Sequence, residues 1–230
     1  MSELANRLER LTLRLDHMGM RAEQAVIDAL AAAEKLDVEA GKEVFELDSV
    51  IDREEVEIEQ ECIRLLALYQ PAAIDLRTIC TIIKVNNDLE RITDKGANIG
   101  RSVKKIAACG LDLAGDEEFT HLRKDALEML GRTARMLSTR ELATARGILE
   151  MDHIIDEDHR ALVRSALHTK APSLGVEGTL TLINIAKALE RVGDLCANIA
   201  EDIIFLRTGD IVRHSDTLGE SRPESRDAGG

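Results

Sequence analysis

The sequence contains no tryptophan, one tyrosine and three phenylalanines in 230 residues. β-Sandwiches and barrels rely on large ring side chains to cover a pleated face, so an aromatic share of 2% argues against them. Proline is as scarce: Pro71, Pro172 and Pro223 leave long intervals free of the strongest helix breaker. Cys62, Cys80, Cys109 and Cys196 form no CxxC pair, and Cys62 and Cys196 fall in apolar periodic runs where a thiol packs as a small hydrophobe. That usage suits a reducing compartment. No uncharged apolar run approaches the roughly 18 residues that span a bilayer, and the opening MSELANRLER has no apolar signal core. The expectation is a cytosolic protein with no transmembrane segment.

Basic residues are in deficit, 30 against 43 acidic ones, for a formal net charge of −13. Phosphate-backbone binding is driven by clustered Lys and Arg, so nucleic acid is not an expected partner. Divalent cations and basic protein surfaces are. The sequence has no GxSxG, no P-loop, no Gly-rich phosphate loop and no evident Cys–His arrangement. No catalysis is expected.

What the sequence does have is Ala, Leu, Ile and Glu in a helical rhythm that repeats. Leu89-Glu90-Arg91-Ile92-Thr93-Asp94, with Ala97-Asn98-Ile99, recurs 100 positions later as Leu189-Glu190-Arg191-Val192-Gly193-Asp194 with Ala197-Asn198-Ile199. An upstream pair matches at a spacing of 104: Val44, Leu47, Asp48, Ile51 and Asp52 correspond to Ile148, Met151, Asp152, Ile155 and Asp156. One further amphipathic stretch precedes each copy. The reading is all-α, six helices as two tandem pseudo-repeated antiparallel three-helix bundles. The helices fall at about 3–35, 38–69, 72–109, 116–140, 141–168 and 173–208, within ~2–4 residues. The units are 1–112 and 113–209, followed by a polar tail over 210–230 without periodicity.

Residues four apart share a helix face, and Asp48/Asp52, Glu90/Asp94, Asp152/Asp156 and Glu190/Asp194 are such pairs. Glu55 and Glu59 extend the second helix's strip, and Asn198 and Glu201 the last helix's. Antiparallel helices place residues equidistant from their turn at one height. Asp48 and Asp94, like Asp52 and Glu90, are equidistant from Pro71; Asp152 and Asp194, like Asp156 and Glu190, are equidistant from residue 173, beside Pro172. Turns at those prolines would bring four carboxylates to one level in each half. Such a group must raise its pKa values, recruit basic side chains or bind cations. Oxygen ligands suit Mg, Ca or Mn; bridging carboxylates with an occasional histidine also suit iron or zinc. His159, at the position equivalent to Glu55, is the candidate nitrogen ligand.

Two alternatives stand beside the metal reading. A non-catalytic scaffold would carry its acids as a solvated face, with Arg91, Arg191, Lys95 and Lys187 as ordinary surface partners. A carboxylate-bridged di-iron enzyme would use Glu118-x-x-His121 and Glu150-x-x-His153. With a turn near residue 140, Glu150 sits opposite about residue 130, leaving Glu118 ~18 Å away along the helix, which argues against a shared site.

LERITDKGANI and LERVGDLCANI, with QPAAIDLR before the first copy, resemble the PhoU family of phosphate-uptake regulators over about residues 3–214. The resemblance implies two similar three-helix bundles, commonly in a homodimer, with metal clusters on E/DxxxD motifs. It also implies negative regulation of a high-affinity phosphate ABC transporter and of the phosphate-starvation response. The implied partners are the transporter's ATPase subunit and a phosphate-sensing histidine kinase, through which the protein would meet the membrane peripherally. The metal residues carried over are Asp48, Asp52, Glu90, Asp94, Asp152, Asp156, Glu190 and Asp194, with Fe, Zn, Mn or Mg as the ion; Glu55, His159 and Glu201 are secondary. Thr93 stands where the second copy has Gly193, Lys95 adds positive charge, and Arg101-Ser102 replace Glu201-Asp202. These departures imply a first cluster with fewer or weaker metals.

Overall fold

In the computed structural model, which describes residues 2–212, the apolar stripe Leu8, Leu11, Leu15, Ala22 and Val26 is buried along α1 (Glu3–Lys35). Ser2 caps that helix by accepting from the Ala5 N–H at 3.2 Å. Leu36 ends it in the left-handed region and Asp37 caps α2 (Val38–Tyr69) at once, accepting from Ala40 N–H at 3.0 Å. Gln70, at φ 43°, and Pro71 then turn the chain into α3 (Ala73–Cys109), as the proline spacing implies. Gly110 closes α3 at φ 64°, the left-handed conformation that glycine adopts without penalty. Asp116 caps α4 (Glu117–Thr139).

The second half departs from expectation. No loop separates the helical segments from Leu142 to Thr208, which run as α5 (Leu142–Ser165), a π turn (Ala166–Lys170) and α6 (Ala171–Thr208), with the backbone kinked out of the helical region at Gly175. The described residues therefore hold five contiguous helical stretches, the last of them kinked, rather than six helices separated by loops, and no strand. The reversal falls at Gly175, with φ 65° and ψ −178°, and not at Pro172, which sits in the first turn of α6, where a proline costs little. The cause is arithmetic: the second copy has four fewer residues between its matched motifs than the first. A wide π turn and one glycine make the reversal that Gln70-Pro71-Ala72 makes in the first copy.

Helices α1, α2 and α3 contact one another, as do α4, α5 and α6, and the halves meet along α3–α6 and α1–α4. A single apolar cluster runs through both halves, from Leu11 and Val26 through Ile92 to Met129, Val192 and Ile203. At one α2–α3 crossing the backbones touch: a Cβ on Gly100 would lie 2.6 Å from the Gly41 carbonyl oxygen. No described helix is long and apolar enough to cross a membrane. Of the tail expected over 210–230, residues 213–230 lie outside the described residues.

Candidate metal centre

The acidic residues stand on the α2–α3 and α5–α6 pairs, beside the apolar seams that pack those helices. In the second half the seam fixes their register. Ile155 of α5 presses on Gly193 of α6, its Cδ1 3.1 Å from where a Cβ would be. That contact aligns the flanking acids, and one carboxylate oxygen each of Asp156, Glu190 and Asp194 lies within 4.8 Å of the others. Burial, followed by the charges of Asp194 and Asp156, pushes the Asp152 carboxyl above its ordinary range. Glu190 is raised by burial and by Asp194, with Arg191 and His159 opposing. His159 is thus near Glu190, half-buried on the same face.

The first half has the same layout. Burial raises Asp48, with Asp52 and Asp94 adding to it. Glu90 is raised by burial and then by Asp52, Asp94, Asp48 and Glu55, which places five acids around one level. Glu55 is itself raised by burial, Glu59 and Asp52, and Asn86 Nδ2 donates to its backbone oxygen at 2.9 Å. Here the cluster carries its own cations. Asp94 accepts from Lys95 at 2.7 Å, Asn98 at 3.0 Å and Arg101 at 3.4 Å. Arg101 also stacks on the Phe45 ring, 4.8 Å from its centroid, which holds the guanidinium beside Asp94.

The last member of the expected α6 strip goes elsewhere. Glu201, with Asn198, lines a groove between α3 and α6 together with Lys84 and Arg91. Glu118 of the di-iron alternative is bound by Lys170 at 2.9 Å, and that hydrogen bond holds its carboxyl down at about 2. His121 and His153 are exposed. Cys62 and Cys196 are buried, and desolvation pushes both thiols up to about 12.

The donor set fits a hard cation. Asp48 Oδ1 is buried without a hydrogen bond, and such an oxygen costs free energy unless a cation or donor meets it; Glu190 Oε2 also lacks a hydrogen bond and has Arg191 Nε 3.5 Å away. In the second half Asp156, Glu190 and Asp194 would supply the ligand oxygens, with Asp152 and His159 alongside. Sequence reasoning missed the ion pair between Lys84 Nζ and the buried Asp202 Oδ1, at 3.0 Å across the α3–α6 seam. The signal was present: Lys84 and Asp202 stand where the other copies have Asn184 and Ser102.

Fold and site together define a class, an all-helical, internally repeated protein with a carboxylate cluster between the second and third helix of each repeat. Within that class, the chain belongs to the PhoU family: the PhoU domain model matches residues 15–103 and again 119–203. It is 33% identical over 219 residues to the phosphate-specific transport system accessory protein PhoU of Serratia marcescens, covering 90% of this chain and 85% of that one. The PhoU homolog of Rhizobium meliloti is 33% identical over 210 residues, with 91% and 89% covered. Among solved structures, the phosphate transport system regulatory protein PhoU from Streptococcus pneumoniae superposes with a TM-score of 0.84 at 27% identity, covering 91% of this chain and 99% of that one. PhoU from Pseudomonas aeruginosa gives 0.83 at 29% identity, with 90% and 100% covered. The family consists of accessory and regulatory proteins, not enzymes.

Proposed function

We propose that this chain is an accessory regulator of a phosphate-specific transport system, and that its acidic clusters hold metal ions. In this reading residues 1–112 and 113–209 are repeated units, each carrying one cluster. The bound cations, from among Fe, Zn, Mn and Mg, neutralise surfaces that meet partners. Those partners are the transporter's ATPase subunit and a phosphate-sensing histidine kinase, both restrained when phosphate is abundant, and the working form is a cytoplasmic homodimer. The observation that carries the metal reading is the convergence of Asp156, Glu190 and Asp194 oxygens within 4.8 Å. Titration of demetallated protein with Mn²⁺ or Fe²⁺ should show saturable sites. Loss of the gene should raise phosphate uptake in phosphate-replete cells, and unchanged uptake would remove the regulatory reading.

One observation favours a second reading. Arg160 Nη2 lies 2.6 Å from Asp156 Oδ2, and Arg191 Nη1 lies 2.6 Å from Asp194 Oδ2. Basic side chains can therefore neutralise the second cluster without metal, leaving a scaffold with a solvated acidic face. Elemental analysis of the purified protein separates the two.

A further inference from the structure

Helices α3 and α6 are counterparts in the repeat, and the seam between them carries two grooves whose linings correspond at the spacing of 100. One, of about 390 Å³, takes Lys84, Asn87, Asp88 and Arg91 from α3 and Asn198, Glu201 and Asp202 from α6. The other, of about 510 Å³, takes Asn184, Lys187, Ala188 and Arg191 from α6 and Arg91, Lys95, Asn98 and Ser102 from α3. Arg91 borders both.

The two have diverged in charge. The smaller groove supplies its own counter-ions: Lys84 pairs with Asp202 at 3.0 Å and Arg91 with Asp88 at 3.2 Å. In the larger groove the positions of those two acids hold Ser102 and Ala188, and no carboxylate lines it. Its four cations are Arg91, Lys95, Lys187 and Arg191. Three of them have a carboxylate within reach on their own helix, while Lys187, exposed, has no ion pair among the described residues. A cationic hollow on a chain of net charge −13 is a local inversion of the overall field.

We propose that the larger groove binds a compact inorganic phosphoanion, pyrophosphate more tightly than orthophosphate. Four cations on facing helices suit a ligand with several charges spread over two ends. Arginine forks pair with phosphate edges in two parallel hydrogen bonds. The Asn184 amide adds a neutral donor, whereas Asn98 Nδ2 is engaged with Asp94 at 3.0 Å and the Ser102 hydroxyl with the Asn98 backbone oxygen at 2.9 Å. The floor is Ile99, Ile185 and Ala188, with no ring on which a nucleobase could stack. The volume lies within the range of small-molecule sites, roughly 300–1,000 Å³. This inference goes beyond the metal reading and stands without it.

The test is calorimetric titration of the full chain, stripped of metal on a chelating resin, with pyrophosphate, orthophosphate and sulfate. One saturable pyrophosphate site per chain is expected, weakening as salt rises. Lys187→Gln, at an exposed position, should weaken binding at least ~10-fold, since charged hydrogen bonds of ~1.5–3 kcal/mol are lost. Ser102→Asp, which gives this groove one of its counterpart's acids, should abolish binding with the helical circular dichroism unchanged. The proposal is overturned by absence of a saturable site, by equal affinity for sulfate, or by wild-type binding in Lys187→Gln. It is also overturned if the protein sediments with vesicles containing phosphatidic acid but does not bind free pyrophosphate. None of these outcomes bears on Mn²⁺ binding at the acidic clusters, which is read in a separate titration.

Discussion

Arg191 places Nη1 2.6 Å from Asp194 Oδ2 and Nε 3.5 Å from Glu190 Oε2, so one guanidinium spans two acids of the second cluster. A cation entering that cluster must displace it. Arg191→Gln should therefore raise Mn²⁺ affinity at the second cluster by up to roughly fivefold, the worth of an exposed ion pair at ~0.2–1 kcal/mol. The same variant should weaken pyrophosphate, because Arg191 also lines the α3–α6 groove. Opposite signs from one substitution, read by two titrations, distinguish local competition from a general loss of structure.

The two clusters should fill unequally. In the second, three carboxylate oxygens already converge, whereas in the first Asp94 is gripped by Lys95, Asn98 and Arg101. Asp156→Asn with Glu190→Gln should remove the tighter phase of a Mn²⁺ titration, and Asp52→Asn with Glu90→Gln only the weaker one. Lys95→Gln should bring the two phases closer together.

The pH response of the metal-free protein follows from carboxyls raised by burial and by one another. Asp152 and Glu190 hold protons in the folded state at pH values where the unfolded chain has released them. Their contribution to stability is therefore present in the ordinary carboxylate range near pH 4 and below, and is lost as pH rises through the raised folded values. Asp152→Asn with Glu190→Gln lacks this loss, so the variant should gain on wild type as pH rises above the ordinary carboxylate range in urea titrations. Saturating Mn²⁺ should reverse the trend in wild type, because metal binds the deprotonated form.

Two glycines should respond in opposite directions. Gly100→Val forces a side chain against the Gly41 carbonyl oxygen at a backbone crossing and should cost about 3 kcal/mol or more. Gly147, on α5, has no atom within 4 Å of its missing Cβ. Gly147→Ala should stabilise by about 0.5–1 kcal/mol through helix propensity. Differential scanning calorimetry reads both.

Most of the architecture was legible because the repeat and the 3.6-residue rhythm report the same helices. α1 and α2 fall at the expected residues, since Ser2 and Asp37 are strong caps and nothing in between breaks a helix. The α5–α6 reversal was not legible: Pro172 marks a break in sequence but fits a helix's first turn, and the deciding residue was Gly175. The pairing of Asp48 with Asp94 and of Asp52 with Glu90 followed from equal distances to Pro71. What patterning could not supply was the fate of long basic side chains. Lys95, Arg101, Arg160 and Arg191 each choose among several acids by rotamer, and a one-dimensional spacing does not encode that choice. For the same reason Glu201 read as part of the acidic strip, although it lines the α3–α6 groove beside Lys84.

The apolar interior passes from one repeat into the other without interruption. The repeats consequently cannot melt independently: loosening either opens the interior that both share, and heat should take the chain through one cooperative transition instead of two. An ion held on one side would then tighten the opposite side as well, through the shared interior alone.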